Sequence, residues 1–365
     1  MNRGSGDWQG GGGGGGVNLP ALRGHNEALL LDLLRCAGPA GLGRSELAAR
    51  TGLTPQAVSK IAARLVAEGL VAEAGRAPST GGKPRTLLRL VPQARYAVGV
   101  HVDRDELRAV RVDLAGGVVA ESGGPLDFGA GPEAVAEAVV REVARVSDPA
   151  GPRPLGVGVA APGPLDHRTG VMGRVTGFPR WEGFPLREVL AGRLGVPVLL
   201  DKDTNAGVAA PRDPASLAAT SVYLHVGTGL GAGLRLGGEV YRGVRSGAGE
   251  FGHQVLRLDG PPCRCGGRGC AEVLCLEAVA RGDLAEAARI LGEGAANLVA
   301  LLDVDQVLLG GRVVGAAPEV FVEGVREVLA ARALAAEPAV VGLAVRGVAE
   351  GAAELALAPF FGRAG

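Results

Sequence analysis

Four residues have the types and spacing to hold a metal ion. His253 is followed by Cys263, Cys265 and Cys270, an H-x9-C-x-C-x4-C pattern. Thiolates and an imidazole suit zinc, and three Cys with one His make a closed, four-coordinate set. The expected cofactor is therefore Zn2+ in a structural role, since no coordination position is left open for chemistry. Gly266, Gly267 and Gly269 let the backbone wrap tightly around the ion. The competing readings are reduced free thiols, or disulfides, which Cys263 and Cys265 stand too close together to form with each other. Cys36 and Cys275 lie in apolar helical patterns and are expected in the core.

A second set of residues has the chemistry to read nucleic acid. Residues 24–95 carry ten Lys/Arg against five Asp/Glu, while residues 96–365 carry 26 against 32. A small basic module ahead of a larger acidic one points to nucleic acid at the front. Thr54 and Pro55 are a helix N-cap and first-turn pair, and Gly69 supplies a left-handed stop. In the helix between them Val58, Ile61 and Leu65 share one face with Ala62. Gln56, Ser59, Lys60, Ala63 and Arg64 face elsewhere. Gln and Ser read base edges; Lys and Arg contact phosphate or guanine. Further on, Arg76, Ser79, Lys83 and Arg85 flank a Gly-rich loop able to reach phosphates or the minor groove. The bland alternatives are a solvated helix face and a plain linker.

These residues need elements to position them. Apolar spacing predicts a helix over 24–37, a short one over 44–50, a turn at 51–53 and a helix over 54–68. Strands follow at 70–74 and 85–90. Helix, helix, turn, helix, hairpin is the order of a winged helix-turn-helix. From Tyr96 the pattern becomes that of an α/β domain. Strands are predicted at 96–102, 107–112, 118–121, 155–161, 198–201, 221–226, 231–236 and 307–309, with a helix over 132–145 and two similar lobes. The expected division is a disordered Gly-rich tail over 1–20, the winged module over 21–92, and an effector domain over 93–365. No apolar run of membrane-spanning length and no secretory h-region appears, so a cytoplasmic protein without a membrane partner is expected.

The second domain also carries a resemblance. VGVAAPGPLD (157–166), FPRWEGFPL (178–186), DKDTNA (201–206), VYLHVGTGLGAGL (222–234), YRGVRSGAGEFGH (241–253), CRCGGRGCAE (263–272) and VLLGGRV (307–313) resemble the ROK family of repressors, open reading frames and kinases. The front module resembles that of the family's transcriptional regulators. The resemblance implies a two-lobed, actin-like ATPase (ribonuclease H-like) fold with a sugar in the cleft. It places Asp203 at the kinases' catalytic base, here vestigial, and puts Glu250, His253 and Glu272 at sugar-binding positions. His253 would then serve zinc through one nitrogen and sugar through the other.

Departures from the family pattern shape the functional expectation. The kinases carry D-x-G-G-T where this chain has His101-Val102-Asp103-Arg104-Asp105, so the phosphate-cradling glycines are gone. Gly227-Thr228-Gly229 and Gly310-Gly311 survive, but glycine turns persist for backbone reasons too. Gly177 and Lys202 replace two Asn of the family. Lys202 is expected either to pair with Asp201 or Asp203, or to attract an anionic ligand. The expectation is a non-enzymatic repressor, a homodimer or homotetramer on operator DNA, modulated by a sugar or sugar phosphate. The alternatives are an ATP-dependent sugar kinase with a regulatory DNA-binding module, and a constitutive DNA-binding scaffold.

Overall fold

The computed structural model describes residues 19–76, 86–210, 220–333 and 337–363. The front module runs α1 (Leu19–Ala37), β1 (Leu42–Gly43), α2 (Arg44–Thr51), α3 (Pro55–Ala67), β2 (Val71–Arg76) and β3 (Thr86–Leu90). The α1 helix begins at Leu19, so it takes in residues expected to belong to the tail. Thr54 caps α3, its Oγ1 accepting from the Ala57 amide at 3.2 Å. Gly69, at φ +70°, turns the chain out of the helix. Val58, Ala62 and Leu65 are buried beneath α3. The three strands form an antiparallel sheet in the order β1-β3-β2, which completes a winged helix-turn-helix. The expected wing tip at 77–85 lies outside the described residues.

The effector domain has two lobes of one design. The first contains β4 (Tyr96–Val102), β5 (Glu106–Asp113), β6 (Val118–Pro125), α4 (Pro132–Val146), β7 (Val157–Ala161), the small hairpin β8 (Leu165–Asp166) and β9 (Val171–Met172), α5 (Leu186–Leu194), β10 (Val198–Lys202) and α6 (Asp203–Ala209). The second contains β11 (Ser221–Val226), β12 (Leu230–Leu236), β13 (Glu239–Val240), α7 (Ala271–Ala280), α8 (Leu284–Leu302), β14 (Gln306–Gly310), α9 (Arg312–Ala316), α10 (Pro318–Arg332) and β15 (Val340–Leu343). The sheets run β10-β7-β4-β5-β6 and β13-β12-β11-β14-β15. In each, three antiparallel strands are extended by two parallel ones on the other side of the first. This repeat is the two-lobed actin-like arrangement. Apolar side chains fill a separate core in each lobe. Among the described residues, no helix is long and apolar enough to cross a membrane.

The last helix, α11 (Val348–Leu357), leaves the second lobe and lies back on the first. Gly99 on β4 and Gly158 on β7 are register partners, which leaves a flat patch beneath the helix. A Cβ on Gly99 would stand 1.9 Å from the Ala349 carbonyl, and one on Gly158 would stand 1.8 Å from that of Ala352. The approach is backbone to backbone. Gly351 repeats it against α6, where its Cβ would fall 1.8 Å from the Ala206 carbonyl.

Past α11 the chain meets the front module. Leu30, Leu34, Leu47 and Leu88 share one core with Ala97, Val110, Leu114, Leu357 and Phe361. The boundary expected at residue 92 therefore crosses a continuous apolar core. Arg35 of α1 donates to both oxygens of Glu354 at 2.6 Å. The two side chains are only 7% and 9% exposed. The Arg35 guanidinium also lies 4.6 Å over the Phe361 ring. Cys36, expected in this core, is exposed instead, because α1 turns Arg35 and Leu34 inward and leaves Cys36 on the outer face. Cys275 is buried as expected.

Removing one partner of a buried, hydrogen-bonded ion pair leaves an uncompensated charge. Glu354→Ala should therefore destabilise the full chain by about 3–5 kcal/mol in denaturant unfolding. The double variant Arg35→Met with Glu354→Met should recover most of that loss. A double variant no more stable than the single one would contradict this assignment.

Candidate functional site

A cleft opens between the lobes and is lined by residues of both. Lys202, Asp203, Glu250, His253 and Glu272 all line it. Five residues from three separate stretches of sequence are thus brought to one place. The end of β10 and start of α6 supply Lys202 and Asp203. A 3-10 turn over Phe251–His253 supplies His253 and follows directly on Glu250. Glu272 stands in the first turn of α7.

The electrostatics differ from expectation at Lys202. Its Nζ donates to Glu250 Oε1 at 2.6 Å and to the Ala248 carbonyl at 2.8 Å, not to Asp201 or Asp203. Asp201 is already engaged by Arg242 at 2.7 Å and by Asn205 at 2.7 Å. The buried ammonium is thereby neutralised from within the protein, which weakens its attraction for an anionic ligand. Burial pushes the Asp203 carboxyl above the usual carboxylate range. Glu272 Oε2 accepts from the Leu230 amide at 3.0 Å. Gly177 has open space where a Cβ would point, at φ +85°, and its neighbour Thr176 lines the cleft.

The loops of the His101–Asp105 stretch are filled by the protein's own groups. Asp103 Oδ1 accepts from the Thr228 hydroxyl at 2.6 Å and from the Arg104 amide at 2.7 Å. Asp105 takes both arms of Arg312 at 2.8 and 2.7 Å. The contacts with Thr228 and Arg312 cross from one lobe to the other. Sequence reasoning missed His225, which lines the cleft from the end of β11. Its only signal was a histidine in an apolar strand just ahead of the Gly227-Thr228-Gly229 turn.

His253, Cys263, Cys265 and Cys270 converge, with donor atoms within 4.8 Å of one another. Cys263 Sγ lies 3.8 Å from His253 Nδ1, and Cys265 Sγ lies 3.7 Å from Cys270 Sγ. A tetrahedron with metal–sulfur bonds of about 2.3 Å has edges of about 3.8 Å, so the four groups fit a metal ion. The loop is closed by backbone bonds, with Cys263 donating to Gly267 at 2.8 Å. The Gly267 amide holds the exposed Cys265 thiol below its ordinary value, whereas burial pushes Cys270 up to about 12. Cys270 caps α7, two residues before Glu272, so this centre fixes one wall of the cleft.

On the front module, Thr54, Gln56, Ser59, Lys60 and Arg64 are exposed. Arg64 pairs with Glu27 of α1, so it is not free in the way the others are. Arg76 ends β2. Ser79, Lys83 and Arg85 lie outside the described residues.

Comparison with known proteins places both parts. The MarR family model matches residues 25–80, and that of the ROK family matches residues 98–283. The xylose repressor of Bacillus subtilis is 29% identical over 257 residues, covering 69% of this chain and 66% of that protein. The chain spans roughly three fifths to two thirds of the length of the first curated relatives it matches. A crystal structure of a ROK hexokinase from Thermus thermophilus is 31% identical, covering 71% of this chain and 97% of that one, with a TM-score of 0.57. A ROK family transcriptional regulator, a homolog of the Escherichia coli MLC protein, covers 93% of this chain and 97% of its own. At 18% identity and a TM-score of 0.73 it shows a shared fold that extends through the front module. With residues 98–283, just over half its length, inside the family match, the chain belongs to the ROK family.

Proposed function

We propose that this chain is a DNA-binding transcriptional repressor whose operator affinity is set by a sugar seated between the lobes. The observation that carries the reading is the core shared by the winged module, lobe one and the end of α11. The same helix touches α6, which begins at Asp203 in the cleft. A ligand that binds two lobe arrangements unequally shifts DNA affinity by at most that difference. The relatives named as xylose repressors support the direction of regulation. The neutralised Lys202 favours an uncharged sugar over a sugar phosphate. A two-fold dimer would place two α3 helices in successive major grooves of a palindromic operator.

Kinase activity is not part of this reading. Asp103 and Asp105 put carboxylates where polyphosphate would sit, and their hydrogen bonds to Thr228 and Arg312 tie the lobes together without a nucleotide. Asp203 remains in the cleft as a hydrogen-bonding group for sugar hydroxyls. Turnover in an ATP-coupled hexose assay, abolished by Asp203→Asn, would overturn the assignment.

The reading extends to zinc at the Cys and His cluster. Three thiolates and an imidazole are zinc's preferred closed set, and the ion holds the loop that carries Glu272 rather than performing chemistry. His253 turns Nδ1 toward the thiols while lining the cleft, which leaves its other nitrogen for a sugar hydroxyl.

Gel shifts on the DNA upstream of the gene, at stated salt, test the whole. Specific binding should be released by one neutral sugar among xylose, glucose and N-acetylglucosamine, with their phosphates inactive. Lys60→Ala should weaken binding to all sequences alike and lower the salt slope by about 1. Gln56→Ala should instead relax sequence preference, by about 1–3 kcal/mol at one base pair. Absence of specific binding at any salt would contradict the reading. For the zinc, Cys265→Ser should remove one equivalent measured by plasma mass spectrometry. In metal-stripped protein Cys265 should alkylate well before Cys270, and added zinc should slow both. Unchanged metal content in the variant would rule the site out.

A further inference from the structure

His101, Asp103 and His225 meet where the lobes face each other, away from the cysteine cluster. His101 lies on β4, Asp103 one residue past its end, and His225 is the penultimate residue of β11. One donor atom from each lies within 4.8 Å of the others. The two rings stand edge to face with centroids 5.8 Å apart.

Three features of this cluster are unexplained by the protein alone. The buried Nε2 of His101 has no hydrogen-bond partner. Such an orphaned nitrogen costs stability unless something occupies it. Asp103 commits Oδ1 to Thr228 and Arg104, and Oδ2 takes no hydrogen bond among the described residues. A Cβ on Gly227 would lie 3.3 Å from that Oδ2 and 2.9 Å from His225 Nε2, so both atoms face the same point. His225 is in turn oriented by a 2.9 Å hydrogen bond between its Nδ1 and the Tyr223 hydroxyl. The tautomer in which Nδ1–H donates to Tyr223 leaves Nε2 with a free lone pair. A ring fixed by its second nitrogen is the arrangement of metal-bound histidines.

We propose that His101, Asp103 and His225 form a second metal site, for a divalent first-row transition ion such as zinc or iron(II), with open positions facing the cleft. Two imidazoles select such an ion over magnesium or calcium, which favour oxygen donors. Three protein ligands leave further positions for small molecules. Asp103 and His225 both line the cleft beside Asp203, so the open positions accept hydroxyl or carboxylate oxygens of a bound ligand. The ion also bridges β4 of one lobe and β11 of the other. Its occupancy therefore favours the arrangement of the lobes in which these residues meet.

Cobalt(II) titration of metal-stripped full-length protein tests this. The wild type should bind two equivalents. One should show the near-ultraviolet thiolate-to-cobalt charge transfer of the cysteine cluster, and the other should lack it. His225→Gln and Asp103→Asn should keep the charge-transfer band and bind the other equivalent about 100-fold more weakly or not at all. Tyr223→Phe, which removes only the orienting hydroxyl, should weaken it about 10- to 100-fold. The band serves as the folding control for each variant, and Asp103→Asn and Tyr223→Phe keep the test open if His225→Gln loses it. A single equivalent carrying the band overturns the proposal and leaves the sulfur site intact. A single equivalent without the band, lost in His225→Gln, supports this site and overturns the sulfur one. Two equivalents in all three variants would place the second ion elsewhere and overturn the proposal.

Discussion

The contact on which the rest of the structure depends is the one between α11 and the paired glycines of β4 and β7. Because Gly99 and Gly158 present no side chains, the helix backbone lies directly on the sheet. Packed interiors of this kind are bistable and do not deform smoothly. A shift of α6, which touches the same helix through Gly351 and Ala206, cannot be absorbed by side-chain motion. It must move α11 as a body. The far end of α11 carries Glu354 into Arg35, and the chain just beyond places Phe361 in the core of the winged module. The cleft and the winged module are joined by a stiff element with almost no soft material between.

Buried charge reinforces this stiffness. Glu350 and Glu354 stand one helical turn apart on α11, and each is met by an arginine from a different element. Burial alone would push Glu350 up, but the two hydrogen bonds from Arg108 outweigh it and hold its carboxyl below the ordinary range. Such pairs add little net stability over apolar packing, but they specify geometry. Here they register α11 against β5 on one side and α1 on the other. The cross-lobe contacts of Asp103 with Thr228 and Asp105 with Arg312 play the same part at the mouth of the cleft.

Much of this was legible in the sequence, for definite reasons. Local signals were reliable where chemistry is local. The Thr54-Pro55 cap and the Gly69 stop fixed α3, and the cysteine spacing announced its cluster. Strands such as Tyr96–Val102 and Ser221–Val226 read correctly because their apolar runs are bounded by turn residues. The five expected cleft residues converge because motif resemblance carries tertiary information that periodicity does not. What failed was pairing at long range. Lys202 was expected to choose between its neighbours Asp201 and Asp203, but a side chain at a strand end reaches across space, here to Glu250. Cys36 was expected in the core, but it lies on the outer face of α1 beside the buried Arg35. Helical spacing alone could not show which face the distant C-terminal helix covers. His225 was hidden in an apolar strand, and the residues it lies beside in the cluster, His101 and Asp103, are more than a hundred positions away in sequence.

The central claim is that α11 transmits cleft occupancy to the DNA-binding helices through its contact with α1. The direct test is the coupling between sugar and operator, measured as the ratio of operator Kd with and without the releasing sugar. It is compared between the wild type and the Arg35→Met, Glu354→Met double variant, at one salt concentration. The account predicts a ratio of about 5 to 150 in the wild type, falling toward 1 in the variant, with both partners still bound by the variant. An undiminished ratio in a folded double variant would contradict it and place the coupling elsewhere.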